Sequence, residues 1–97
     1  MPKNNDVLSS EYLVKLAREF GTPLYVYHAE KIEKQYHRLE SAFSGAQARF
    51  FYACKALTNI NILKLMQQLG SGLDTVSIQE VKLGLKAGFD PNRIIFT

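Results

Sequence analysis

Ninety-seven residues suffice for one small domain with a modest core, and 46% hydrophobic with 22% charged residues is ordinary for a soluble globular chain. The net charge of +3 is too small to imply a nucleic-acid partner, because basic and acidic residues are interspersed, as in Glu30-Lys31-Ile32-Glu33-Lys34. No apolar run reaches bilayer-spanning length, the start Met-Pro-Lys-Asn-Asn-Asp-Val lacks signal-peptide character, and the lone Cys54 excludes an intrachain disulfide or a Cys-x-x-Cys motif. The expected location is the cytoplasm, with no membrane association.

Taken in order, residues 1–6 are polar and expected to be loose. Leu13, Leu16, Ala17 and Phe20 form a helical stripe within residues 7–20, with Ser9 or Ser10 as N-cap and Gly21 as the stop. Thr22-Pro23 breaks that pattern, and Leu24-Tyr25-Val26-Tyr27 reads as a short strand. A second helix carries Ala29, Ile32, Tyr36, Leu39 and Phe43 on one face and ends near Ser44-Gly45. Residues 49–55 form the next strand, rich in aromatics. Thr58 or Asn59 caps a third helix with the stripe Ile62, Leu65, Met66, Leu69, closed by Gly70. Residues 72–76 are a strand, and Ser77 with Glu80 has capping-box spacing at the start of a fourth helix that Gly88 stops. Asp90-Pro91-Asn92 turns the chain into a last strand, residues 93–97.

Helices alternating with strands across short connections predict βαβ units and a parallel sheet, an α/β fold. Its last apolar strand has no helix to cover it, and a parallel sheet left so would expose a hydrophobic edge. The expectation is therefore the amino-terminal part of a (β/α)8 barrel, which needs about 250 residues. Residues 1–21 are an expected helical segment, and residues 22–97 the first strands and helices of that barrel.

Within the strand 49–55, side chains alternate, so Phe51, Ala53 and Lys55 share a face. Lys55 is expected at the strand's carboxyl end, where active sites of parallel α/β proteins form. One reading is an amine that snorkels into water while its stem covers apolar surface. The other is a catalytic amine in a dry pocket, able to form a Schiff base. Asp74 interrupts an apolar strand; it either hydrogen-bonds locally or reaches Lys55 as an inward carboxylate across a spacing of about 4.8 Å. Glu80 is the third residue of a capping box, with room for a supporting role at the mouth of the sheet. Cys54 reads as a small core hydrophobe. His28 and His37 lack metal-pair spacing, and no metal site is expected. Gly70-Ser71-Gly72 precedes a strand and so lacks the donor geometry of a phosphate loop.

Phe51-Tyr52-Ala53-Cys54-Lys55-Ala56 resembles the lysine segment of the fold type III pyridoxal-phosphate decarboxylases, Tyr-Ala-x-Lys-Ala/Cys-Asn. Thr22-Pro23-Leu24-Tyr25-Val26-Tyr27 is similar to that family's first strand. Leu69-Gly70-Ser71-Gly72-Leu73-Asp74-Thr75-Val76-Ser77 resembles its Leu-Gly-x-Gly-x-Asp-x-x-Ser block, followed by the matching Glu80. Ala87-Gly88-Phe89-Asp90-Pro91-Asn92-Arg93-Ile94 is similar to its Ala-Gly-x-x-Pro-x-x-Ile run. The resemblance covers nearly everything from residue 22 onward. It departs at Leu57, where the family carries asparagine, and at Ser77-Ile78-Gln79-Glu80, where the family has Ser-Gly-Gly-Glu.

The resemblance implies pyridoxal 5'-phosphate as cofactor, held by Lys55, with Ala53, Asp74 and Glu80 around it, and Lys55 and Asp74 as catalytic residues. The Thr-Pro-Leu-Tyr-Val-Tyr and Ala-Gly-Phe-Asp-Pro blocks are most similar to the branch that converts meso-diaminopimelate to L-lysine and carbon dioxide. Ornithine- or arginine-type substrates, or a non-catalytic cofactor-binding barrel, are the alternatives. The resemblance places the phosphate loop, the pyridine-nitrogen partner and a second domain downstream of Thr97, so the fragment alone is expected to be inactive. It also implies a homodimer for the whole protein.

Overall fold

The computed structural model describes residues 8–97, so the expectation for residues 1–6 lies outside the described residues. The chain divides into two compact units, Met1–Glu40 and Ser41–Thr97. In the first, α1 (Ser10–Phe20) begins where the Ser9 hydroxyl accepts the Tyr12 N–H at 3.1 Å, and ends at Gly21, whose φ of 85° lets its N–H turn back to Ala17. Residues 24–27 form no strand, contrary to expectation. Leu24, Tyr25, Val26 and Tyr27 are all exposed, and the one sheet of the described residues is built wholly from later residues. An extended segment without a ladder partner is not a strand, whatever its β-propensity. Helix α2 (Ala29–Ala42) follows the predicted span, yet of its apolar stripe only Tyr36 is buried. His37 lies on the exposed side and pairs with Glu40 at 3.0 Å, and His28 contributes its carbonyl to the first turn of α2.

The second unit holds β1 (Phe51–Ala53), α3 (Ile60–Gln68), β2 (Gly72–Thr75), α4 (Ile78–Ala87) and β3 (Ile94–Phe96). The strands form a parallel sheet in the order β1-β2-β3, so two βαβ units follow in sequence. Register places Ala53 opposite Asp74, and Asp74 opposite Ile95. Asn59 caps α3 through its side-chain oxygen, which accepts the Asn61 N–H at 2.9 Å, and Ser77 caps α4. Asp90 caps a 3-10 turn, Pro91–Arg93, that leads into β3.

The core of this unit lies between the sheet and its helices. Leu63 on α3 and Leu73 on β2 are fully buried, joined by Ile62, Met66, Ala87 and Phe89. Each fully buried leucine contributes about 1.5–3 kcal/mol relative to exposure. Thr75 is also fully buried, and its hydroxyl is satisfied by donating to the Ile95 carbonyl at 2.8 Å. Leu63 was not in the predicted stripe. Gly84 explains how α4 comes so close to β2, since a Cβ there would run into the Leu73 side chain. At the amino edge of the sheet, the Arg93 guanidinium donates to the Gly70 carbonyl at 2.7 Å and lies 5.9 Å from the centre of the Phe51 ring. On β3, Ile95 and Phe96 are exposed, as expected of an uncovered edge.

A Cβ at Gly72 would stand 2.5 Å from the Phe51 ring and 2.9 Å from the Arg93 carbonyl oxygen, which is backbone and cannot swing aside. Gly72→Ala is expected to destabilise the protein by about 1–3 kcal/mol, read as a lowered denaturation midpoint in urea. An unchanged midpoint contradicts the packing described.

Candidate active site

Three segments meet the carboxyl edge of the sheet: the turn after β1, the loop from β2 into α4, and the end of β3. Strand β1 stops at Ala53, and residues Cys54–Ala56 form a single 3-10 turn. This corrects the expected strand over residues 49–55. The turn forms because the Leu57 N–H donates back to the Cys54 carbonyl at 3.1 Å, while the Tyr52 hydroxyl donates to the Leu57 carbonyl at 3.1 Å. The Cys54 side chain is completely buried beneath it.

Lys55 therefore does not continue the alternation of β1. It sits at the apex of the turn, half-buried Ala53 ends the strand before it, and its own side chain is exposed. The expected dry pocket is not formed by the described residues. Cys54 takes the buried place, and one residue later the turn carries Lys55 outward.

Asp74 is half-buried on the central strand, directly across from Ala53. Its Oδ1 accepts the Thr97 hydroxyl at 2.7 Å. Lys55 and Asp74 form no ion pair among the described residues, so the two share an edge without touching. Thr97 lies two residues beyond Ile95, the register partner of Asp74. The period of two along a strand brings its hydroxyl to the same face. That signal was available from the sequence once the register was known.

Glu80 fills the third position of α4, and its N–H donates to the Ser77 hydroxyl at 3.2 Å. Its Oε1 accepts the Val76 N–H at 2.9 Å, one residue earlier than in the simplest capping box. Burial pushes the Cys54 thiol above its ordinary value of 9.0, and the Glu80 carboxylate pushes it in the same direction. No group of three or more metal-ligating side chains exists among the described residues, and no helix among them is long and apolar enough to cross a membrane.

A primary amine and a half-buried carboxylate on neighbouring segments suit an aldehyde cofactor, which an amine can hold covalently. The family model described as pyridoxal-dependent decarboxylase, pyridoxal binding domain, matches residues 29–97, and the chain belongs to that family. Among its relatives, the diaminopimelate decarboxylase of Methanothermobacter thermautotrophicus is 51% identical over 86 residues, covering 87% of this chain and 20% of that protein. The crystal structure of diaminopimelate decarboxylase from Helicobacter pylori complexed with L-lysine matches with a TM-score of 0.80 and 40% identity, over 87% of this chain and 21% of that one. Lysine decarboxylase from Selenomonas ruminantium matches with a TM-score of 0.84 and 31% identity, over 93% of this chain and 24% of that one. The chain spans 20% to 23% of the length of the curated relatives it matches. Its parallel α/β architecture is that of the amino-terminal part of these enzymes.

The raised thiol makes a prediction with a definite sign. Well below pH 9.0 Cys54 is protonated in both folded and unfolded chains. As pH rises through that value the unfolded thiol ionises first, so stability falls. Wild type is expected to lose stability above this pH more steeply than Cys54→Ala. Iodoacetamide at pH 8 should modify Cys54 at least roughly tenfold more slowly in the folded than in the urea-unfolded protein. Equal rates contradict the burial.

Proposed function

We propose that the whole protein is a pyridoxal-phosphate-dependent decarboxylase that converts meso-diaminopimelate to L-lysine and carbon dioxide, with Lys55 as the amine that holds the cofactor. The observation that carries this reading is the placement of Lys55 at the apex of a tethered turn on the carboxyl edge of a parallel sheet. That placement falls within the span matched by the pyridoxal-binding family. When bound, the cofactor supplies an electron sink for the charge left as carbon dioxide departs.

The chain's own residues then have definite tasks. Lys55 Nζ holds the cofactor and afterwards carries a proton at the reacting edge. Asp74 places a negative charge one strand away, with its Oδ1 fixed by Thr97 so that the carboxylate keeps one orientation. Ala53 keeps the end of β1 small beside Asp74. Glu80 fastens the start of α4 and, through it, the loop that leaves β2. The exposure of Lys55 fits a site whose remaining walls come from the rest of a polypeptide several times longer. We extend to that whole protein a (β/α)8 barrel, a homodimeric state and a cytoplasmic location, on the strength of its family.

A second reading changes the substrate alone. The likeness to lysine decarboxylase favours L-lysine, and the family leaves ornithine- or arginine-type substrates as further candidates. Carbon dioxide release from meso-diaminopimelate, L-lysine and ornithine, measured side by side, separates the two.

The test of the site is borohydride reduction of the full-length protein with pyridoxal phosphate, followed by peptide mapping. Label is expected at Lys55, and label at another residue overturns the assignment. Lys55→Ala is expected to abolish the cofactor absorbance and to lower kcat by roughly a thousandfold or more.

A further inference from the structure

We infer that Tyr52 is a positioning residue for Lys55, acting through the hydrogen bond that its hydroxyl donates across the turn to Leu57; this rests on the reading of Lys55 as the cofactor amine. Two bonds fasten the turn. The Leu57 N–H donates to the Cys54 carbonyl and the Tyr52 hydroxyl donates to the Leu57 carbonyl, both at 3.1 Å. The first bond closes the turn on itself. The second ties its far end to β1, the strand from which the turn departs.

Lys55 lies between these fixed points, and its neighbours divide the work. Cys54 beneath it is wholly buried and anchors the near end. Leu57, at the far end, is half-buried, and its φ and ψ of −165° and 114° are extended, so the helical bonding stops there. Without the phenol, the carbonyl of Leu57 keeps no bond to the sheet, and the turn can hinge about Cys54. An amine on a hinging turn spends less time where an aldehyde carbon must meet it, and attack on a bound partner slows accordingly. The phenol reaches this carbonyl through the backbone, so the replacement of the family's asparagine by Leu57 leaves the tether intact.

The experiment uses full-length protein and Tyr52→Phe, which keeps the ring and removes only the hydroxyl. Two quantities are read: the rate of borohydride-trapped pyridoxal phosphate at Lys55, relative to trapping at Lys64 on the surface of α3, and amide hydrogen exchange at Leu57. The relative rate is expected to fall roughly three- to tenfold, as for loss of one hydrogen bond, with faster exchange at Leu57 and little change in Tm. A general loosening of the protein lowers Tm as well, whereas loss of this one tether leaves Tm little changed. An unchanged ratio overturns the proposal, even where exchange quickens. Should the unsubstituted protein take no label at Lys55, the cofactor reading itself falls. Exchange at Leu57 then judges the tether alone, which unchanged exchange removes.

Discussion

The Leu57 N–H meets the Cys54 carbonyl at 3.1 Å, and where this bond forms, the ladder of β1 ends. A parallel strand can pair only while its backbone stays extended, so a 3-10 turn at this point limits β1 to Phe51–Ala53. Everything at the carboxyl edge inherits that limit. Ala53 becomes the last residue in register with Asp74, Cys54 drops into the core, and Lys55 is lifted to the rim. Continued extension would instead have placed the lysine on the face of Phe51 and Ala53, projecting from the plane of the sheet.

The same edge depends on how α4 is seated. Gly84 lets the helix lie close to Leu73, and Ser77 with Glu80 secures its first turn. With the helix start so fixed, the Glu80 carboxylate stands where it disfavours ionisation of the Cys54 thiol. Cys54 remains a buried, protonated thiol under the turn, in keeping with a packing role for it.

Much of this was legible in the sequence. Caps at Ser9, Asn59 and Ser77, and glycine stops at Gly21 and Gly88, are local signals whose hydrogen bonds close within a few residues, and they mark helix ends to within a residue or two. Residues 24–27 have β-propensity, which is local, but no ladder partner among the described residues, which propensity does not show. Lys55 was placed on a strand for a similar reason: alternation of apolar residues does not show where a ladder stops, and the bond from Tyr52 to Leu57 joins residues with no spacing signal. Asp74 lies on the central strand and Glu80 in the first turn of α4, as their positions in the sequence implied. The Thr97 partner of Asp74 became readable only with the register in hand.

Arg93 sits at the other end of the sheet from Lys55. Its guanidinium fastens the Gly70 carbonyl and covers the Phe51 ring, so the beginnings of all three strands are cross-linked by a single side chain. Arg93 thus ties the floor of the sheet, and Lys55 lies at the rim, with the length of the strands between them. A substitution at Arg93 therefore acts where the three strands begin, a full strand length away from the turn that carries Lys55.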